Sequence, residues 1–264
     1  MSNQRANLMS RALGRVRRIS KRAGERVRGL PLRASQRRLG LDVPPGRLIH
    51  LVANTEDVGW FLDTGALAAK SIRNILAESG ANLENLSAIL DFGCGVGRVI
   101  RHWEGVNGPE FHGTDYNPNL IAWCKPNLPF ARFQVNELDK PLAYRDATFD
   151  LIYGLSVFTH LDQTLESFWM QELSRLLKPG GFLLITIHGD HYLGQLSAED
   201  QAAYKAGRAV VQKARRAGSN DCATFHPESY VRGTLARGFE VARMIPEGAL
   251  GNPRQDLYLL RKPS

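Results

Sequence analysis

A chain of 264 residues, 43% of them hydrophobic, is long and apolar enough for one α/β domain with its own core plus an appendage. Its three cysteines, Cys94, Cys124 and Cys222, have no CxxC spacing, which argues against a disulfide framework or a zinc site, and its apolar runs are strand-sized, which excludes a transmembrane helix. The net charge of +8 is uneven: residues 1–40 carry twelve Lys and Arg against Glu25 alone, a net +11 that leaves −3 on the remainder.

In that basic segment Leu8/Met9, Ala12/Leu13, Val16, Ile19, Ala23, Val27 and Leu30 recur at three- to four-residue steps, with arginines filling the gaps. The pattern suits a basic amphipathic helix on an anionic membrane surface or a partner. It equally suits a solvated extension, and its arginine-rich, acid-poor composition suits a transit peptide. Asp42-Val43-Pro44-Pro45-Gly46 is a linker signal, so residues 1–45 are expected to be an extension and 46–264 the domain. Residues 47–83 are predicted helical, with apolar stripes at Leu48, Leu51 and Val52 and at Ala66, Leu67, Ile72, Ile75 and Leu76, ending at Gly80. Trp60 and Phe61 either help close a pocket or pack in the core.

The most informative stretch follows. An apolar strand from Ala88 reaches Asp91, glycines alternate at Gly93, Gly95 and Gly97, and the amphipathic Val99, Ile100 and Trp103 predict a helix. A strand, glycine turn and helix let a flat ligand approach the backbone with no Cβ in the way. Dinucleotide folds place their third glycine at the sixth position, which here is Arg98. With an acid close to the glycines, the turn suits a cationic ligand better than a pyrophosphate. Phe111 to Tyr116 is a second strand ending in Asp115, at the distance where nucleoside-binding folds carry a ribose acid. Phe149 to Gly154 is a fourth strand that runs into Leu155 to Leu161. Leu176 to Gly181 precedes a fifth strand, Phe182 to Ile187. Residues 188–226 are an insertion whose Ser197 opens a helix to about Arg216, and Gln255 to Leu260 is the last strand. Alternating strands and helices imply parallel pairing.

In order and spacing these elements resemble the class I S-adenosylmethionine (SAM) dependent methyltransferases. The Ser156-to-Leu161 segment is similar to bacterial members linked to polysaccharide or secondary-metabolite pathways. The resemblance implies a Rossmann-like α/β fold: a seven-stranded, mostly parallel sheet with an antiparallel last strand and helices on both faces. It implies SAM as cofactor, with Asp91 and Gly93 near the ammonium group and Gly95 and Gly97 in the turn. Asp115 would sit on the ribose hydroxyls, Tyr116 against the adenine, Asn136 or Glu137 at the adenine edge, and Leu155 in the following loop. His160 is expected to be either a proton acceptor or a structural hydrogen-bonding residue. His188 is a substrate contact or alternative base, and His226 a weaker candidate. His188, Asp190 and His191 match no common metal spacing, so no metal is expected. The function implied is methyl transfer to a small-molecule or glycan acceptor, at oxygen. A nucleic-acid methyltransferase anchored by the arginine tail and a non-catalytic SAM-fold subunit are the rivals. The expected compartment is a reducing cytosol, with the inner face of a membrane as a partner for residues 1–40.

Overall fold

A computed structural model of the protein describes residues 41–264. The arginine-rich segment, and with it the expected membrane or partner contact, lies outside the described residues. The linker does not behave as a free spacer. Pro44 is buried, Leu41 packs on the core, and the Asp42 carbonyl accepts a 2.6 Å hydrogen bond from the Arg101 guanidinium, so the packed unit begins before residue 46.

The predicted helical stretch divides into α1 (Gly46–Ala53) and α2 (Val58–Glu78). Asn54 ends α1 in a left-handed conformation, and Asp57 caps α2 by accepting from the Trp60 amide at 2.9 Å. Helix α2 buries Phe61, Thr64, Gly65, Ala68, Ala69, Ile72, Ile75 and Leu76, one face at three- to four-residue steps, and Gly80 follows it with positive φ.

The sheet orders its strands β3-β2-β1-β4-β5-β9-β8: β1 (Ala88–Phe92), β2 (Glu110–Asp115), β3 (Ala131–Val135), β4 (Phe149–Gly154), β5 (Leu177–Ile187), β8 (Glu240–Ile245) and β9 (Asp256–Arg261). Pairings from β3 to β5 are parallel, and β9 is antiparallel to both of its neighbours, β5 and β8. This is the expected Rossmann-like architecture. Period-two alternation sorts the side chains into two cores. Ile89, Phe111, Tyr153, Leu184 and Leu259 pack with α2, while Leu90, Ile152, Leu183, Ile185 and Leu260 pack with α4 (Gln163–Leu176). Helix α3 (Pro118–Asn127) connects β2 to β3. The strand order reverses between β1 and β4, and in open α/β sheets ligands bind outside the strand ends at such a point.

Three expectations are corrected. The segment after the glycine turn forms only a 3-10 turn, Ile100–Trp103, in place of a helix. Glycines with positive φ bound the segment on both sides, Gly97 before it and Gly105 after it. Strand β5 begins at Leu177, not Phe182, because Leu177 already pairs with Phe149 before a bulge restores register at Phe182. The insertion helix α5 (Ala198–Lys205) stops well short of Arg216: Gly207 at φ +76° ends it, and β6 (Val210–Gln212) and β7 (Ala223–Phe225) form a two-stranded sheet.

A buried cluster ties this insertion to α4. His226 at the end of β7 and Glu166 on α4 are 0% and 1% exposed, with His226 Nε2 2.6 Å from Glu166 Oε1, and the Tyr230 hydroxyl donates to the other carboxylate oxygen at 3.1 Å. His226 is therefore a packing residue behind the site and not a substrate-side candidate. Glu166→Ala strands the buried His226 ring and frees the half-buried Tyr230 hydroxyl, at about 1–3 kcal/mol. Urea denaturation of the variant is expected to show a loss of stability of that order.

Candidate cofactor and acceptor site

The carboxyl ends of β1, β2, β4 and β5 open into a single cavity of about 960 Å³, roofed by α1 and the insertion. The two roof elements meet: Asn220 Nδ2 donates to the Leu51 carbonyl at 2.9 Å. The volume lies near the upper end of small-molecule sites, about 300–1,000 Å³, and leaves room for a second molecule beside a nucleoside-sized one.

At one end the glycine turn is fixed by Asp115. Its Oδ2 accepts from the Gly95 amide and its Oδ1 from the Asn117 amide, each at 2.9 Å, while Gly93 and Cys94 amides donate to Thr114 O. A Cβ at Gly93 would lie 2.4 Å from Val157, and one at Gly95 2.9 Å from Val52 on α1, so both glycines allow close approach as well as positive φ. Each Asp115 oxygen retains accepting capacity beyond its one amide bond, as a pair of ribose hydroxyls requires.

Asp91 is 4% exposed, and burial raises its pKa to about 7, against a lowering contribution from the Tyr153 hydroxyl and then from Arg98. Its Oδ2 has no hydrogen-bond partner. A buried carboxylate oxygen without a donor, on a residue that lines the cavity, fits a cationic group such as the ammonium of SAM. Behind it, Trp103 Nε1 donates to Tyr153 Oη at 2.9 Å.

Arg98 is only 8% exposed. It donates to Gly251 O at 3.1 Å and Asn252 Oδ1 at 2.5 Å and lies 5.8 Å over the Trp60 ring, so it pins the loop before β9 and α2 to the glycine turn. Sequence reasoning treated Arg98 only as a missing glycine. Helix α2 comes close because Gly65 has no Cβ: one there would be 2.1 Å from Arg98 O.

The other predicted residues divide. Tyr116, 45% exposed, Asn136 and Leu155 line the cavity with Asp91, Gly93, Gly95 and Asp115. Gly97 does not; its missing Cβ makes room for Leu128. Glu137 points outward to Lys140 at 2.7 Å. Trp60 lines the cavity, and Phe61 is in the core. Sequence reasoning missed Ser156, which adopts positive φ (61°) without being glycine. Its amide donates to Thr186 Oγ1, and its hydroxyl and that of Thr186 both donate to Gln255 Oε1, at 2.8, 2.9 and 2.7 Å.

At the far end His160, after β4, and His188, after β5, both line the cavity. His160 Nδ1 is 2.7 Å from Cys222 O and His188 Nδ1 3.2 Å from Thr224 O. Backbone bonds from Gly218 N to His160 O and from His226 N to His188 O complete the attachment of the insertion. Burial lowers both histidine pKa values, that of His188 to about 3, with further lowering from His160 and His226. Asp190 accepts from the Tyr204 hydroxyl, His191 lies 3.6 Å from Glu247, and no metal-ready group of three ligands is present among the described residues.

This geometry coincides with what the chain resembles. Residues 90–185 match the methyltransferase domain family. The chain is 31% identical over 99 residues to malonyl-[acyl-carrier protein] O-methyltransferase of Enterobacter lignolyticus (37% of this chain, 38% of the relative). It is 32% identical over 151 residues to ubiquinone/menaquinone biosynthesis C-methyltransferase UbiE of Laribacter hongkongensis (52% and 57%). The chain thus spans less than two thirds of the length of these curated relatives. A SAM-dependent methyltransferase structure from Mesorhizobium loti superposes with a TM-score of 0.56 at 18% identity, covering 73% of this chain and 98% of that one, which establishes the fold. Together these matches show a methyltransferase domain over residues 90–185 on a methyltransferase-like fold; the relatives are named for methylation at oxygen and at carbon.

Asp91 gives a pH signature. The native state keeps its proton up to about pH 7, whereas an unfolded aspartate releases it near 4. The ionisation penalty on stability is therefore absent below about pH 4, grows from 4 to 7 and is complete above 7. A bound cation relieves it, so SAM affinity should rise as pH increases through about 7. Asp91→Asn should flatten that rise in calorimetric titrations and stabilise the ligand-free protein at pH 8 in thermal melts.

Proposed function

We propose that this protein transfers the methyl group of SAM to a hydroxyl of a small-molecule or glycan acceptor. The observation that carries the reading is the single cavity in which the glycine turn, Asp91 and Asp115 stand at one end and His160 and His188 at the other. Asp115 would hold the ribose hydroxyls, Asp91 the ammonium, Tyr116 the adenine face and Asn136 its edge. Glu137 and Gly97 take no direct part. Bound SAM supplies an electrophilic methyl on a sulfonium whose sulfur departs as a neutral thioether. The chain aligns the acceptor, an effect that reaches about 7–11 kcal/mol in well-oriented systems, and excludes bulk water beneath α1 and the insertion. His160 takes the acceptor's proton at Nε2, since its Nδ1 is committed to Cys222 O. Oxygen is favoured because the two neutral imidazoles at this end can each accept the proton of a hydroxyl.

Purified protein is expected to bind SAM and S-adenosylhomocysteine at micromolar Kd or tighter, roughly −8 kcal/mol. Asp115→Ala should weaken both at least about tenfold in calorimetry, since it removes the ribose acceptor and frees the Gly95 amide. Unchanged affinity would contradict the ribose assignment.

The proposal extends to residues 1–40 as a separable electrostatic anchor, on the strength of +11 against −3 in the rest. Deleting them should leave turnover on a soluble acceptor nearly unchanged and sharply reduce sedimentation with anionic vesicles at low salt, at about 1 kcal/mol per basic residue near the surface. Equal sedimentation by both forms would remove the membrane reading.

A further inference from the structure

We infer that the acceptor is an uncharged molecule bearing two neighbouring hydroxyls, both received by the Nε2 lone pairs of His160 and His188. This rests on the methyltransferase reading and names the substrate class for the same site.

The geometry of β7 supplies the argument. A backbone carbonyl only accepts, so an imidazole nitrogen 2.7 or 3.2 Å from one must carry the proton. Cys222 O and Thr224 O thereby fix the same tautomer in two histidines. In a neutral ring with Nδ1 protonated, Nε2 is a bare acceptor, and among the described residues the hydrogen bonds of both rings are made through Nδ1. Both residues line the cavity. Burial disfavours the imidazolium form of each, which keeps the lone pairs available.

Thr224 lies in β7 and Cys222 stands just before that strand, so the two carbonyls that hold the rings are two residues apart in the chain. The two rings are thus held from one segment at the wall of one cavity, near enough that His160 acts electrostatically on His188. Two hydroxyls a few ångströms apart, on adjacent or next-but-one carbons, can each donate to one of them. His188 is further fixed by edge contact with Tyr192 at 4.6 Å and a tilted stack on Phe225 at 5.2 Å.

The charge pattern selects against ions. A carboxylate or phosphate would meet the lone pairs of two neutral rings. The charged side chains on the acceptor half of the wall are already partnered: Arg254 is 3.2 Å from Glu247, and Asp221 is 3.0 Å from Arg216. His191 lies 3.6 Å from the same Glu247. The neighbouring Leu161 and Phe225 are apolar.

Asparagine separates the structural half of each ring from the functional half. Its amide N–H can replace Nδ1–H toward the β7 carbonyl, and nothing replaces Nε2. The first measurement is imidazole 15N NMR on the full chain, titrated with catechol and cis-1,2-cyclohexanediol against phenol, cyclohexanol and benzoate. The diols should move both Nε2 resonances from their unprotonated position and bind at least tenfold tighter than their monohydroxy counterparts, and benzoate should not bind. His160→Asn and His188→Asn should each reduce diol affinity about tenfold, with melting temperature and SAM affinity unchanged.

The inference is overturned if either Nε2 carries the proton, if the diols shift neither ring, or if both Asn variants keep wild-type diol binding. Radiolabelled methyl transfer from SAM to the same probes reads the other layer. Diol binding without SAM binding would sink the methyltransferase reading and leave the diol site standing. SAM binding with no diol shift would do the reverse.

Discussion

The 2.9 Å bond between the Asp115 carboxylate and the Gly95 amide is the constraint on which the site depends. It joins the end of β2 to the turn that leaves β1, across the parallel pairing of those strands. A glycine turn with three positive φ values has little conformational preference of its own, and Asp115 converts it into one shape. The same carboxylate caps the start of the next connection through Asn117. Everything placed on the turn inherits this rigidity: Asp91 just before it, and Arg98 just after it with the α2 face and the loop before β9 that it holds.

The far half of the cavity is assembled on another principle. The insertion has a small apolar core of its own, around Tyr192, Leu196, Tyr204, Val210 and Phe225. It is fastened to the strand ends mainly by polar contacts, the two histidines to β7 and His226 to Glu166. Positioning and chemistry therefore share atoms there, because one nitrogen of each cavity histidine is spent on structure. A substitution at Cys222 or Thr224 that moved the backbone would disturb the ring orientation without touching an acceptor.

The sequence makes the sheet legible because its strands are apolar runs of the right length with acids at their ends. Asp91, Asp115 and the glycines could be located from spacing alone, and β9 from Leu257 to Leu260. What stayed hidden depends on partners far apart in the chain. Arg98 meets Asn252 across 154 residues, Ser156 meets Gln255 across 99, and Glu166 meets His226 across 60. No local pattern encodes such pairs. Gly97 and Glu137 share a segment with true lining residues, but the turn and loop rotate them away, and spacing could not show that rotation. The insertion helix is shorter than its pattern implies because the capping signal at Ser197 marks where a helix starts, whereas Gly207 decides where it stops.

The chain of contacts from Trp103 through Tyr153 to Asp91 has an optical consequence. The indole N–H is bonded to a phenol whose other neighbour is a carboxyl group that titrates near neutrality. Any change in charge at Asp91, by deprotonation or by arrival of a cation, alters the field along the buried Trp103 ring. The indole is 1% exposed, so water does not mask the effect. The protein thus carries an internal fluorophore wired to the charge state of Asp91 at the cavity wall.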